Sequence, residues 1–192
     1  ASHHFDSILQ AGVIMVVGAN PTEGHPVFGS MMKRRIRQGA KLIVIDPRRT
    51  ETVDSPHCRA DVHLALRPGT NVAILNSIAH VIVRENRHDT EFIKSRCEWQ
   101  EFEHWAELVG SEEYSPDKIG PIAGVDPEDI RRAARIYSTG PQSTIYYGLG
   151  VTEHSQGSTG VMCLGNLGLA CGMYGREGVG VNPLRGQGNV QG

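Results

Sequence analysis

Apolar residues in this chain fall into short β-branched runs separated by stretches of helical period. Val13–Val17 is the first run, and it stops at a polar loop opened by Gly18. Over residues 25–38 the period lengthens, with Val27, Met31, Met32 and Ile36 on one side and Lys33, Arg34, Arg35 and Arg37 largely on the other. That spacing predicts a helix with a solvated basic face. Residues 41–47 form a second run carrying Asp46 at its end, and the right-handed crossover rule pairs it in parallel with the first. Residues 61–66 alternate Asp61, His63 and Ala65 with Val62, Leu64 and Leu66, which predicts a third strand. A Pro68-Gly69 turn leads into a helix over Asn71–Arg84, with Thr70 as its expected N-cap. Two short helices are expected within 89–108, anchored by Phe92, Ile93, Trp99, Phe102 and Trp105. Asp126 as N-cap and Pro127 at N1 open a further helix reaching about Ser138, with Arg131, Arg132 and Arg135 on a solvated face. Ser143–Tyr147 reads as a fourth strand and residues 158–170 as a last helix, while the glycine-rich segment 172–192 has no period and is expected to be mostly loop. Strands alternating with helices predict a single α/β domain, Rossmann-like, with a mainly parallel sheet and helices on both faces.

Composition narrows the function without naming it. At 192 residues, with 39% hydrophobic and 21% charged positions, the chain is long enough for one ordered domain with a real core. A net charge of −2 offers nucleic acid no electrostatic footprint. No apolar stretch approaches the roughly 20 residues of a membrane span, and no secretory pattern opens the chain, so a cytoplasmic location is expected. Cys58, Cys97, Cys163 and Cys171 form no C-x-x-C pair, so no metal site is expected from this chain alone. Of the 23 glycines, 14 lie at or beyond Gly140, which biases the last part of the chain toward sharp corners or close backbone approach.

The candidate chemistry sits where strands end. Open α/β sheets bind nucleotides at that edge, because helix N-termini and free backbone N–H groups converge there on phosphate. The first such junction, GANPTEGHP (18–26), is not a G-x-G-x-x-G fingerprint, and its residues suit phosphate contact or a structural turn about equally. In the second, IDPRRT (45–50), Asp46 is placed to accept from ribose hydroxyls and Arg48 and Arg49 to hold phosphate, or else the loop forms a salt bridge. The third, LRPGTN (66–71), ends in Asn71, whose amide can serve a purine rim. The fourth, GLGVTEHSQG (148–157), has two glycines that would let backbone lie against a flat group. Beyond them, Arg185 stands in a glycine-rich, otherwise uncharged segment, where a guanidinium is costly to bury unless an anion meets it; an exposed tail is the other reading.

Taken in order, GANPTEGHP, KLIVIDPRRT, LRPGTNVAILN, YYGLGVTEHSQG and NPLRGQGNVQG resemble the catalytic subunit of molybdenum- or tungsten-dependent formate dehydrogenases, within the molybdopterin oxidoreductase (dimethyl sulfoxide reductase) superfamily. The likeness runs from about Val13 to Gly192, and NPLRGQGNVQG is its most specific block. It implies that residues 1–192 are one α/β domain of a larger subunit, clasping one of two molybdopterin guanine dinucleotides of a bis-pterin metal centre. On that resemblance Gly18, Asn20 and Glu23 would lie on the pyrophosphate side, Asp46 and Arg48 at ribose or phosphate, and Pro68, Gly69 and Asn71 at guanine. Many superfamily members carry Asp where this chain has Asn71. Gly148, Leu149, Gly150 and His154 would line the cofactor, Gln187 would contact a pterin, and Arg185 would orient formate.

The family's four-iron four-sulfur cysteine cluster and its Cys or selenocysteine metal ligand do not appear in this sequence. The resemblance therefore implies a fragment whose partners are formate, the other domains of the subunit, and electron-transfer subunits. Three alternatives stay open: a domain of another molybdopterin oxidoreductase, such as a nitrate reductase-like protein; a free-standing nucleotide-binding module; and a purely structural Rossmann-like domain.

Overall fold

The computed structural model describes residues 4–186. Its centre is a five-stranded parallel sheet in the order β5-β2-β1-β6-β7, built from β1 (Val13–Val17), β2 (Lys41–Ile45), β5 (Val62–Leu64), β6 (Ser143–Tyr147) and β7 (Gly180–Pro183). A two-stranded antiparallel pair, β3 (Asp54–Ser55) and β4 (Cys58–Arg59), stands apart from it. The helices are α1 (Pro21–Gly24), α2 (Pro26–Arg37), α3 (Asn71–Arg84), α4 (Thr90–Arg96), α5 (Trp99–Val109), α6 (Pro116–Ala123), α7 (Pro127–Thr139), α8 (Leu149–Thr152) and α9 (Gly157–Ala170), with 3-10 turns at Phe5–Gln10 and Glu112–Tyr114.

Period-2 alternation sorts the sheet into two cores. Val13, Met15, Val17, Ile43, Ile45, Ile145 and Tyr147 meet residues of α3, α6, α7 and α9 on one face. Ile14, Val16, Leu42, Val44 and Tyr146 meet Ile8, Phe28 and Met32 on the other. All five residues of both β1 and β6 are buried, as parallel strands covered on two sides must be. The Rossmann-like α/β expectation is borne out. Among the described residues no helix is long and apolar enough to cross a membrane.

Several local expectations change. The helix expected over 25–38 is α2, preceded in the first junction by the short α1, and its buried side is shifted by one residue from the expected one. Phe28 and Met32 are buried, whereas Val27 is 73% exposed. Thr70 does not cap α3, because its hydroxyl donates to the Arg67 carbonyl at 2.7 Å. Asp126 does cap α7, accepting from Glu128 N at 2.8 Å. Within α4 and α5 only Ile93 among the five expected anchors is fully buried. The aromatics lie half-exposed on one another, with Trp99 to Phe102 at 5.4 Å and Phe102 to Trp105 at 5.9 Å between ring centroids. The segment after Gly172 contains one strand that the sequence did not show, β7, which joins the sheet edge beside β6.

The basic face of α7 is paired rather than free. Arg131 meets Asp117 and Glu128, and Arg135 meets Glu128 and Glu85. Glu85, at the end of α3, accepts from Arg135 and Arg87, and these guanidinium groups push its carboxyl down to about 2. A depressed carboxyl stabilises the fold above its unfolded-state value and ceases to do so as pH falls through the folded one. Glu85→Gln is therefore expected to lower stability by about 1 kcal/mol near pH 7, after allowance for solvent screening. The gap between variant and parent melting temperatures should close as pH drops from about 4.5 toward 2. A gap that stays constant over that range would remove the ion pairs as its cause.

Candidate functional site

The chain turns outward from β1 to β2 and β5 on one side and to β6 and β7 on the other, so the reversal falls between β1 and β6. Crevices at such reversals, outside the carboxyl ends of the strands, are where open α/β sheets hold ligands. A cleft of about 610 Å³ opens there.

All four strand-end junctions reach this cleft. Gly18, Asn20, Glu23, Asp46, Arg48, Pro68, Asn71, Gly148, Leu149, Gly150 and His154 line it, joined by Ala19, His25, Pro47, Leu66, Leu184 and Gly186. Gly69 does not; it borders a smaller hollow shared with Asn71 and His154. The likeness places Gly69 at the guanine end, and it takes a φ of +89° in the turn between Pro68 and Thr70. Gln187 lies outside the described residues, as does the rest of the terminal segment beyond Gly186.

The first and fourth junctions are locked to each other. Gly148 N donates to Val17 O at 3.0 Å and Gly150 N to Gly18 O at 3.0 Å. Gly18 takes φ +56°, and a Cβ there would stand 2.6 Å from the carbonyl carbon of Gly150. These glycines thus serve first to seat two loops against each other, and the paired loops together make one wall of the cleft.

Asn20 is committed to the protein. Its amide nitrogen donates to Glu23 and Glu51, each at 3.0 Å, and its oxygen accepts from Thr52 at 2.8 Å. A backbone hydrogen bond and then the Asn20 amide hold the Glu51 carboxyl below its ordinary range. Asn20 therefore shapes the loop, and two carboxylates flank it. Asp46, at the tip of β2, is only 4% exposed. Its Oδ1 accepts from Arg48 N at 2.8 Å and sits 3.7 Å from Arg48 Nε, while Oδ2 receives no hydrogen bond from a described residue. Arg48 itself is largely exposed. Asn71 donates weakly to Gly150 O at 3.4 Å, which ties the third junction to the fourth.

Arg185 is not itself among the cleft's lining residues; it follows Leu184, whose N–H donates to Tyr147 O at 2.8 Å where β7 leaves the sheet. Its guanidinium carbon lies 5.4 Å from the centroid of the Tyr147 ring, and Nη1 is buried with no partner among the described residues. Leu184 and Gly186 on either side of it line the cleft. His25, which sequence reasoning used only as a helix start, contacts the Arg185 carbonyl oxygen through Nε2 at 2.9 Å. No local pattern could have marked that contact, because it spans 160 residues.

The thiols stand outside this chemistry. Burial and the nearby Asp89 push Cys171 up to about 12, and burial raises Cys58 and Cys163 as well. Among the described residues no three His, Cys, Asp or Glu side chains converge as a metal site.

Comparison with known proteins fits this geometry. The family model described as molybdopterin oxidoreductase matches residues 1–192. The chain is 42% identical over its whole length to the F420-dependent formate dehydrogenase subunit alpha of Methanocaldococcus jannaschii, covering 27% of that protein. It is 40% identical over its whole length to formate dehydrogenase H of Escherichia coli, covering 26%, and 33% identical over 96% of its length to a nitrate reductase of Symbiobacterium thermophilum, covering 25%. Among solved structures, acetylene hydratase from Pelobacter acetylenicus superposes with a TM-score of 0.74 at 30% identity, over 85% of this chain and 22% of that one. The chain thus spans about a quarter of the length of the curated relatives it matches. With a Rossmann-like sheet, a cleft at its switch point and a family match along the full length, the chain belongs to the molybdopterin oxidoreductase family.

Proposed function

We propose that this domain holds a molybdopterin guanine dinucleotide, carrying molybdenum or tungsten, within the catalytic subunit of a formate dehydrogenase. One observation carries the reading: a single cleft at the switch point gathers all four strand-end junctions, and Leu184 and Gly186 on its wall flank Arg185, whose buried Nη1 has no partner among the described residues.

The residues fit such a group. A cleft of about 610 Å³ is of cofactor size. The free Oδ2 of Asp46 suits a ribose hydroxyl, Arg48 a phosphate, and the carbonyl of Asn71 an N–H of guanine. Gly18, Gly148 and Gly150 form the wall, Asn20 and Glu23 brace its loop, Leu149 and His154 border it, and Gln187 is assigned to a pterin by resemblance. When bound, the metal–pterin group supplies the redox chemistry, accepting the two electrons that formate loses on becoming carbon dioxide.

This chain's contribution is orientation and charge. Arg185 offers two parallel N–H donors to the formate carboxylate, which fixes the direction of its C–H bond and balances its charge. The Tyr147 face holds the guanidinium without neutralising it. Identities of 42% and 40% with formate dehydrogenases, against 33% with the nitrate reductase, favour formate as the substrate.

Mass spectrometry of the group released from the complete subunit tests the reading. Guanine nucleotide and pterin are expected in near-equal amounts, and Asp46→Ala should cut retained nucleotide by about tenfold, the scale of one lost charge-assisted hydrogen bond. A plain mononucleotide, or none, would point instead to the free-standing module. The 192-residue chain by itself is expected to show no formate oxidation with a dye acceptor, since the residue that the resemblance places at the metal is not in it.

A further inference from the structure

Two polar atoms near the exit of β7 are buried without partners among the described residues, Arg185 Nη1 and His25 Nδ1. One hydrogen bond links the residues that carry them, from His25 Nε2 to the Arg185 carbonyl oxygen at 2.9 Å. A carbonyl only accepts, so Nε2 carries the hydrogen, and in the neutral ring Nδ1 is left as an acceptor.

His25 is itself rigidly mounted. It occupies the junction of α1 and α2, with its N–H donating to Pro21 O at 3.1 Å and its carbonyl accepting from Gly29 N at 2.7 Å. Gly29 packs so closely there that a Cβ would stand 2.6 Å from Pro21 O. The imidazole therefore projects from a fixed corner of the first junction, on the wall of the cleft.

Arg185 is mounted loosely by comparison. The last strand hydrogen bond belongs to Leu184, and beyond it the His25 contact is the one hydrogen bond that Arg185 makes among the described residues. No carboxylate of the described residues forms an ion pair with its guanidinium. Stacking on Tyr147 sets its height above the ring and leaves its direction free.

Resting on the assignment of Arg185 as the substrate's anchor, we propose that His25 is a positioning residue, whose Nε2–H ties the Arg185 backbone to the cofactor-side loop and so sets where the guanidinium meets the substrate anion. The first junction then does two things, since it borders the cofactor and also aims the residue that orients formate relative to it.

The variants His25→Gln, His25→Asn and His25→Ala in the complete cofactor-loaded subunit test this. A glutamine amide reaches about as far as Nε2 and can donate to the carbonyl, whereas an asparagine amide reaches only about as far as Nδ1. The KM for formate is expected to rise about tenfold or more in the Ala and Asn variants, with kcat changed by less than about threefold, and the Gln variant should return to within about threefold of the parent. A second readout needs no turnover. Phenylglyoxal labelling of the Arg185 peptide, followed by mass spectrometry, should be several-fold faster in Ala and Asn than in Gln and parent. Should Ala lose cofactor, the Gln–Asn comparison decides alone.

Gln and Asn variants that behave alike in both readouts would overturn the positioning role, as would parental KM and labelling in Ala. Arg185→Ala run alongside separates the two ideas: full formate turnover in that variant defeats the assignment of Arg185, while its loss together with parental His25 variants defeats only the tie.

Discussion

Arg185→Ala in the complete subunit is expected to lower kcat/KM for formate by about a thousandfold while leaving bound metal and guanine nucleotide at parental levels. Truncating one preorganised donor to a reacting anion typically removes two to three orders of magnitude, and here the same side chain supplies both the positive charge and the paired N–H groups. Its Nη1 is already buried with no partner among the described residues, so the desolvation cost of the cation is met in the folded domain and offset when an anion arrives. No acidic side chain among the described residues forms an ion pair that would quench it. Arg185→Lys keeps the charge but loses the planar fork, so an intermediate loss of about ten- to a hundredfold is expected. Steady-state assays with a dye acceptor, read beside metal and nucleotide analysis, check both values. Equal kcat/KM in Ala and parent at full loading would take Arg185 out of the chemistry.

The contrast between Arg185 and its mount shows what sequence patterns can and cannot convey. Val13–Val17, Asn71–Arg84 and Ser143–Tyr147 were legible end to end, because burial on two faces or an amphipathic stripe writes itself into composition at a fixed period. The strand-end junctions were legible for a topological reason: in a doubly wound sheet, whatever follows a parallel strand arrives at the ligand edge. By contrast β7 (Gly180–Pro183) was hidden. It has one β-branched residue and exists by pairing with β6, where Asn182 is buried and donates to Thr144 Oγ1 at 3.1 Å. Helix α6 was hidden too, since Gly120 and Pro121 interrupt the composition of a helix while Gly124, at φ +73°, ends it in the left-handed region. The His25–Arg185 contact belongs to a third kind, in which neither residue's neighbours report the other. Sequence also could not show that the cleft glycines seat two loops against each other, because a bare backbone looks the same whether a ligand or another loop lies against it.

That last point yields the second large effect. Gly18→Ala is expected to destabilise the domain by about 3 kcal/mol and to strip the subunit of its guanine nucleotide. The left-handed conformation at φ +56° costs an alanine about 1–2 kcal/mol. The added Cβ would also stand 2.6 Å from Gly150 C and 2.8 Å from Val151 N, both backbone atoms that cannot swing aside, and overpacking of that kind costs about 1–3 kcal/mol. Relief requires the two loops to part, which would break the Gly150 N to Gly18 O hydrogen bond and displace Asn71 from Gly150. The cleft wall would then open along the whole β1–β6 reversal. Gly69→Ala isolates the packing term. It shares a positive φ, +89°, but a Cβ there meets nothing within 4 Å, so about 1 kcal/mol and near-parental nucleotide content are expected. Thermal unfolding and released-nucleotide analysis on the two variants should therefore diverge sharply. If instead both lose nucleotide equally, the wall is not made by the contact between the first and fourth junctions, and the cleft is held by the chain that surrounds this domain.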